Sequence, residues 1–419
     1  MRPAHTPQRQ RHWLPWLAAG FALLLLAVGP AWQSGAFAQE RVVRFGAALS
    51  LTGRFVDNAR LTKDGYDFYV QQVNGRFGGI EIRGVKYRVE IKYYDDQSDP
   101  IVGARLVEKL IVEDGIKLLL GPYSSTMTLP ISKVVERYQV PMVVAHAATN
   151  SIYEQGNKYI FATLNTIDQY FDGVLQAAME ATPRPQTVAV LYENLLAPQA
   201  SAEAAVKVAQ RLGLRVVYYQ RYPSGIKDLS SELAVIRSRN PDILLGAGYI
   251  GDMILLAKQA DGLGVRPKLF AMLLGPTHPS FVPALGRIAN GIVEPVQWAP
   301  NMKWKDEIFG WTARDYFGLF KEQFGYEPDY HPPQSTAALE VFHRALQNAG
   351  TFEPPKVRDA IAQTTIETAY GPIRFNDKGV NIGKTMAVIQ LQGNVPVVVY
   401  PPQVREHKLI YPRRYSSAR

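Results

Sequence analysis

The feature that most constrains this chain is a repeated alternation between two hydrophobic periods. Residues 42–51 form a β-rich run, after which residues 60–74 carry apolar side chains at helical spacing: Leu61, Tyr66, Phe68, Val70 and Val73. Residues 85–94 alternate with period two, so that Val85, Tyr87, Val89, Ile91 and Tyr93 share one face, and residues 101–112 follow as an amphipathic helix. The short apolar runs 116–120 and 140–145 have the pattern of strands buried on both faces of a parallel sheet. The scheme then repeats, with strands expected near 187–192, 214–220, 242–247 and 268–274, and helices near 198–212, 229–239 and 252–263. Units of about 25 to 35 residues, each a strand and a helix, predict an α/β chain of doubly wound sheets.

The final third departs from this rhythm. Residues 307–324, 333–348 and 355–363 read as three helices, the first rich in aromatic residues, and 373–375, 385–391 and 395–400 as a short antiparallel ending. Residues 403–419 form a basic, proline-containing tail, expected to be solvated or loosely docked. A length of 419 residues with 47% hydrophobic content suits two lobes with ample core and excludes disorder. The absence of cysteine excludes a disulfide framework, a thiol nucleophile and any Cys-ligated metal. The formal charge of +9 falls to +6 beyond residue 38, too mild a bias to imply nucleic acid as a partner.

The first 38 residues read as an address. Arg2, Arg9 and Arg11 precede an apolar run over 14–28, then Gly29-Pro30 and a small-residue site ending Ala36-Phe37-Ala38. This is the layout of a secretory signal peptide, with cleavage expected before Gln39 and a periplasmic mature chain. A membrane anchor is the rival reading, but 15 residues of helix span roughly 22 Å, short of the ~30 Å hydrocarbon core.

Several motifs in order resemble one family. Ala47-Ala48-Leu49-Ser50-Leu51-Thr52-Gly53 is followed by Gly65, Asn74 and Gly78-Gly79, then by the stretch 94–100 (Tyr-Asp-Asp-Gln-Ser-Asp-Pro) and by Gly121-Pro122-Tyr123-Ser124-Ser125-Thr126. Residues 141–150 and Gly371-Pro372-Ile373-Arg374-Phe375 complete the set. Spread over about 330 residues, it resembles the exported branched-chain amino-acid-binding proteins, type I solute receptors of ABC importers. The resemblance implies two doubly wound α/β lobes joined by three hinge crossings, near Thr163, residues 293–295 and residues 371–374. The lobes are then expected over 39–163 with 295–371, and over 164–294 with 372–402. It also implies a small carboxylate as ligand and the importer's membrane subunits as partners, with no cofactor.

The stretch 121–128 follows a buried-type strand and leads into a helix. Because Pro130 lacks an N–H, regular helix is expected from about Leu129, after a Ser-rich turn. Free amides and hydroxyls at the positive end of a helix dipole make an anion site. The resemblance assigns the ligand carboxylate to Ser125, whose other reading is a helix cap. It likewise implies a backbone carbonyl from Ala147 and a hydroxyl and N–H from Thr149, which could equally cap the loop 146–150. Tyr249 and, beside it, Tyr192 are second-lobe candidates, although aromatics at strand ends also serve core packing. Tyr123 and Phe55 flank the head-group pocket from the first lobe, while Arg54 reads either as a carboxylate partner or as a surface residue. Three charge-assisted hydrogen bonds at roughly 1.5–3 kcal/mol each would supply about 5–9 kcal/mol before ordering costs, enough with apolar contact for ~μM affinity.

One departure bears on the ligand. Family members that bind α-amino acids hold the ammonium with an acid at the end of the strand near 268–274, and here no acid appears before Glu294. An ammonium buried without a carboxylate is costly, so an aromatic or aliphatic acid without an α-amino group is expected. Two other functions compete. A ligand sensor reporting to a membrane partner would use the same lobes. A dinucleotide-dependent oxidoreductase is suggested by Gly246-Ala247-Gly248-Tyr249-Ile250-Gly251, but no acid follows about twenty residues on. The five histidines beyond residue 38 are scattered, and Asp95, Asp96 and Asp99 read as a turn or cap rather than a metal site.

Overall fold

A computed structural model describes residues 41–415, so the expected signal peptide and cleavage before Gln39 lie outside the described residues. The first half runs β1 (Val42–Leu49), α1 (Val56–Phe77), β2 (Ile80–Ile82), β3 (Val85–Asp95), α2 (Pro100–Val112), β4 (Leu119–Leu120), α3 (Ser125–Tyr138), β5 (Met142–Val144) and β6 (Ile160–Ala162). These strands form one sheet in the order β2-β3-β1-β4-β5-β6, parallel throughout except for the β2–β3 hairpin. From β1 the chain winds outward to β3 and then back past β1 to β4. The loops after β1 and β4 therefore diverge and open a crevice at the carboxyl ends of the strands.

The second half repeats the device with α4 (Tyr170–Met179), β7 (Thr187–Glu193), α5 (Leu196–Arg211), β8 (Arg215–Tyr222), α6 (Ser230–Arg239), β9 (Ile243–Ala247), α7 (Ile250–Gly262), β10 (Leu269–Met272), α8 (Phe281–Leu285) and β11 (Ile292–Val296). The chain then adds α9 (Ala313–Phe324), α10 (His331–Ala349), α11 (Pro354–Ala362), β12 (Thr365–Thr368), β13 (Gly371–Arg374), β14 (Ala387–Gln392) and β15 (Val395–Tyr400). The second sheet has the order β15-β14-β11-β10-β9-β7-β8, with its winding reversing between β7 and β9. β12 and β13 form a separate antiparallel ribbon.

Helices α1 and α10 pack together on the first sheet, and α10 is buried almost along its whole length. Their backbones touch at Gly65, where a Cβ would stand 2.3 Å from the Pro332 carbonyl oxygen and 2.6 Å from its Cα. The aromatic segment closes over α1: Phe309 stacks on Trp311 at 4.2 Å, and Phe68 lies edge-on to Tyr316 at 4.9 Å. That helix begins at Ala313 rather than near residue 307. Asp306 turns the chain by accepting from the Ile308 and Phe309 amides, and a Thr312–Asp315 capping box starts the helix.

The expected crossing at 293–295 lies within β11, where Pro295 and Val296 still pair with β14. Gln297, just beyond it, bonds to chain segments near the other two expected crossings. Its Oε1 accepts from the Asn165 amide at 3.2 Å and the Tyr370 hydroxyl at 2.9 Å, and its Nε2 donates to the Asn165 carbonyl and the Tyr170 hydroxyl. Residues 403–408 of the tail are exposed, whereas its later part is docked: the Arg413 guanidinium donates to the Ile288 and Asn290 carbonyls, and its backbone N–H donates to the Lys268 carbonyl at 2.7 Å. No helix among the described residues is long and apolar enough to cross a membrane.

Candidate functional site

The carboxyl ends of both sheets meet around a cavity of about 50 Å³. The first sheet and α10 contribute Tyr123, Ser124, Ser125, His146, Tyr330 and Gln334; the second contributes Tyr249, Leu273 and Leu274. Ala197 and the crossing residues Leu164, Ile167 and Tyr170 complete the wall together with Ala148. No carboxylate is among them.

The anion end is built by α3. Helix starts at Ser125, not at Leu129, and Pro130 lies inside it. Ser124 closes the first turn before the proline is reached: its Oγ accepts from the Met127 N–H at 3.4 Å, its carbonyl from the Thr128 N–H at 3.1 Å. Ser124 sits at φ 80° and ψ 150°, a region that residues other than glycine rarely occupy, and its N–H is held by the His146 carbonyl at 3.1 Å. The amides of Ser125 and Thr126 fall at the open end of the helix, beyond reach of any intrahelical carbonyl. Ser125 Oγ accepts from the Thr149 N–H at 3.2 Å, which brings the two expected head-group loops together, and Thr149 Oγ1 is buried without a partner. Thr149 itself borders not this cavity but a wider neighbouring groove, with Asp168, Glu203 and Lys207.

Tyr123 and Tyr249 line the cavity between the sheets, and Phe55 packs against both without bordering it. Phe55 meets Tyr249 at 5.0 Å and Tyr123 at 6.0 Å, and Tyr123 meets Tyr249 at 5.9 Å, all edge-on. Tyr249 caps the start of α7, and its N–H donates to Glu193 Oε2 at 3.3 Å. Beside them Arg54 bonds both Glu193 and, at 3.1 Å, Asp252, joining the loop after β1 to the second sheet. Burial raises both carboxyl groups and their mutual repulsion raises Glu193 further, while Arg54 pulls each down. The acidic stretch 95–99 serves this loop: Asp95 accepts from the Leu51 and Thr52 amides, Asp96 from the Ser50 hydroxyl at 2.6 Å, and Asp99 caps α2.

Two expected residues have other employment. Tyr192 packs on Tyr219 at 5.1 Å and does not border the cavity. The Ala147 carbonyl accepts from the Tyr153 hydroxyl at 2.6 Å, and its methyl lies in the core. Two glycines of the 246–251 motif answer to packing, since a Cβ on Gly246 would stand 2.6 Å from Leu256 Cδ2 and one on Gly248 2.4 Å from the Tyr222 hydroxyl, while Gly251 faces open space.

Helix α10 lies where a helix was expected, near 333–348, but nothing in its pattern pointed to a place in the site. His146 Nε2 lies 2.9 Å from Ser335 Oγ, and Gln334 Nε2 donates to the Ala145 carbonyl, so the helix is bonded directly to the end of β5. Burial, reinforced by the neighbouring His331, holds the His146 ring well below its usual range and therefore neutral. Asp329, though burial opposes it, is held below the usual carboxylate range by His331, whose Nδ1 lies 2.7 Å away. Glu294 lies behind the end of β10 and accepts from the Gly275 amide at 3.2 Å and the Thr277 amide at 2.7 Å; burial pushes it up to about 8. Among the described residues no group of three or more His, Asp or Glu is arranged to hold a metal ion.

The family model described as "Periplasmic binding protein" matches residues 42–395. A leucine-, isoleucine-, valine-, threonine- and alanine-binding protein of Pseudomonas aeruginosa is 25% identical over 346 residues, 80% of this chain and 86% of the relative. A leucine binding protein from Thermotoga maritima superposes with a TM-score of 0.74 at 22% identity, covering 85% of this chain and 97% of its own. A solute binding protein from R. palustris, solved in complex with benzoate, gives 0.73 at 17% identity, covering 90% and 98%.

Proposed function

The chain belongs to the periplasmic binding proteins, in the branched-chain amino-acid-binding type I group, and from that premise we propose that it captures a small carboxylate without an α-amino group and hands it to the membrane subunits of an ABC importer. The observation that carries this reading is the lining itself: the open, positive end of α3 faces aromatic and aliphatic walls, with no carboxylate to receive an ammonium. The benzoate complex of the R. palustris neighbour is consistent with such an acid.

In this reading the acid's oxygens take the place of the present Ser125–Thr149 hydrogen bond, accepting from the Ser125 hydroxyl, the Thr149 N–H and the first amides of α3. Entry in this reading is by parting of the two sheets and reclosing, which separates Phe55 from Tyr249. The ligand favours the closed state through contacts made with both sides. In this reading two lobes divide near residues 163, 295 and 371, and export precedes function, with cleavage before Gln39. Calorimetry on the mature protein tests the reading: benzoate or a branched aliphatic acid binds at micromolar concentration, and leucine at least tenfold more weakly. Tight leucine binding with both acids inert would overturn it.

A further inference from the structure

Two polar atoms on the α10 side of the cavity have no partner. Gln334 is 1% exposed; its Nε2 is committed to the Ala145 carbonyl, which turns Oε1 away from that bond and leaves it unpaired. His146 is 7% exposed; its Nε2 is engaged by Ser335 Oγ at 2.9 Å, and the His331 backbone adjoins the same ring, yet Nδ1 has no partner. Both residues border the same cavity as Ser125. A buried polar atom without a partner is uncommon and destabilising, and here each side chain is fixed by its other end, so neither can swing to find one.

We propose that His146 and Gln334 form a subsite for a hydroxyl group carried by the bound acid, which makes the ligand a hydroxy acid. The inference rests on the carboxylate reading above. The chemistry selects the group. An amide oxygen only accepts, so the partner must donate; an imidazole nitrogen donates or accepts according to its tautomer, so the partner must be able to do either. A hydroxyl meets both demands with one oxygen. A methyl or halogen meets neither. An ammonium would lack a counter-charge, because no carboxylate lines the cavity and the His146 ring is neutral. A second carboxylate would face the Gln334 oxygen and find no donor there.

The test compares matched acids on the wild-type mature protein by calorimetry: benzoate against its three monohydroxy isomers, and 4-methylpentanoate against 2-hydroxy-4-methylpentanoate. One hydroxylated acid is expected to bind roughly ten- to hundredfold tighter than its parent, the cost of leaving the two buried atoms unpaired. Its methyl ether, which cannot donate, should lose that gain. Gln334→Met should shrink the ratio between hydroxy acid and parent, read only if its thermal midpoint shows a folded protein. Parents binding as tightly as every hydroxylated partner would overturn the subsite and leave the carboxylate site standing, with a water as the adequate occupant of the unpaired atoms. Failure of every acid to bind would overturn the carboxylate reading and the subsite together.

Discussion

Replacing Arg54 with methionine isolates the ionic contact that spans the two sheets. One guanidinium nitrogen, Nη2, serves both Glu193, whose side chain is 0% exposed, and Asp252, 10% exposed. Arg54 belongs to the loop after β1 and its partners to the end of β7 and the first turn of α7, so parting the sheets breaks both bonds. Two charge-assisted hydrogen bonds are worth about 3–6 kcal/mol gross. Desolvation of two carboxylates and a guanidinium offsets much of this, and the arginine is still 28% exposed, which leaves about 1–3 kcal/mol in favour of the closed arrangement. The substitution should therefore weaken the bound acid by roughly 5- to 150-fold, chiefly through faster release. Calorimetry gives the affinity, stopped-flow fluorescence the release rate, and small-angle scattering the degree of closure. Arg54→Lys should recover part of the loss, since an ammonium keeps the charge but not the fork. An Arg54→Met protein with unchanged affinity and scattering profile would refute the argument, and show that opening does not disrupt the triad.

Ser125→Ala should weaken the acid about ten- to thirtyfold while shifting the unfolding midpoint little, because Ser124 and not Ser125 caps α3; equilibrium binding and thermal melts read the two effects separately. Glu294, with a folded pKa of about 8 against 4.5 when solvated, keeps its proton in the native state where the unfolded chain has lost it. Its contribution to stability is thus full below pH 4.5 and declines as the pH rises to 8, by up to about 1.4 kcal/mol per unit. Denaturant midpoints measured across that range should fall less steeply for Glu294→Gln than for wild type. Gly65→Ala drives a methyl into the Pro332 backbone and should destabilise by about 1–3 kcal/mol in urea titrations, with a matching loss of helix packing.

Much of the architecture was readable because strand and helix periods alternate cleanly. Residues 85–94 and 187–192 coincide with β3 and β7 almost to the residue, and the expected helix 101–112 is α2. Helix α3 starts earlier than the missing N–H of Pro130 suggests, because the cap at Ser124 acts first along the chain. Tyr192 shows the limit of periodicity: β7 is buried on both faces, so alternation cannot say which face meets the cavity. The Arg54 triad was beyond reading, since its partners lie 139 and 198 residues away on another sheet. Gln334 was hidden for the same reason, in a segment whose pattern announces only a helix. The loops carrying Ser125 and Thr149, which bond to each other, were legible because turn chemistry is local; the bonds from Ala145 and His146 to α10 are not local and were not.

The neutrality of the lining bears on where such a receptor can work. A periplasm exchanges protons with its surroundings, and a binding site keyed to a titrating side chain would gain and lose its quarry with every change outside. Here the one histidine in the wall is kept uncharged by burial, and the phenols of Tyr123, Tyr170, Tyr249 and Tyr330 are pushed far above their ordinary range. The only charge that varies at the α3 end is then the guest's own, so uptake should track the ionised fraction of the acid rather than the weather of the medium.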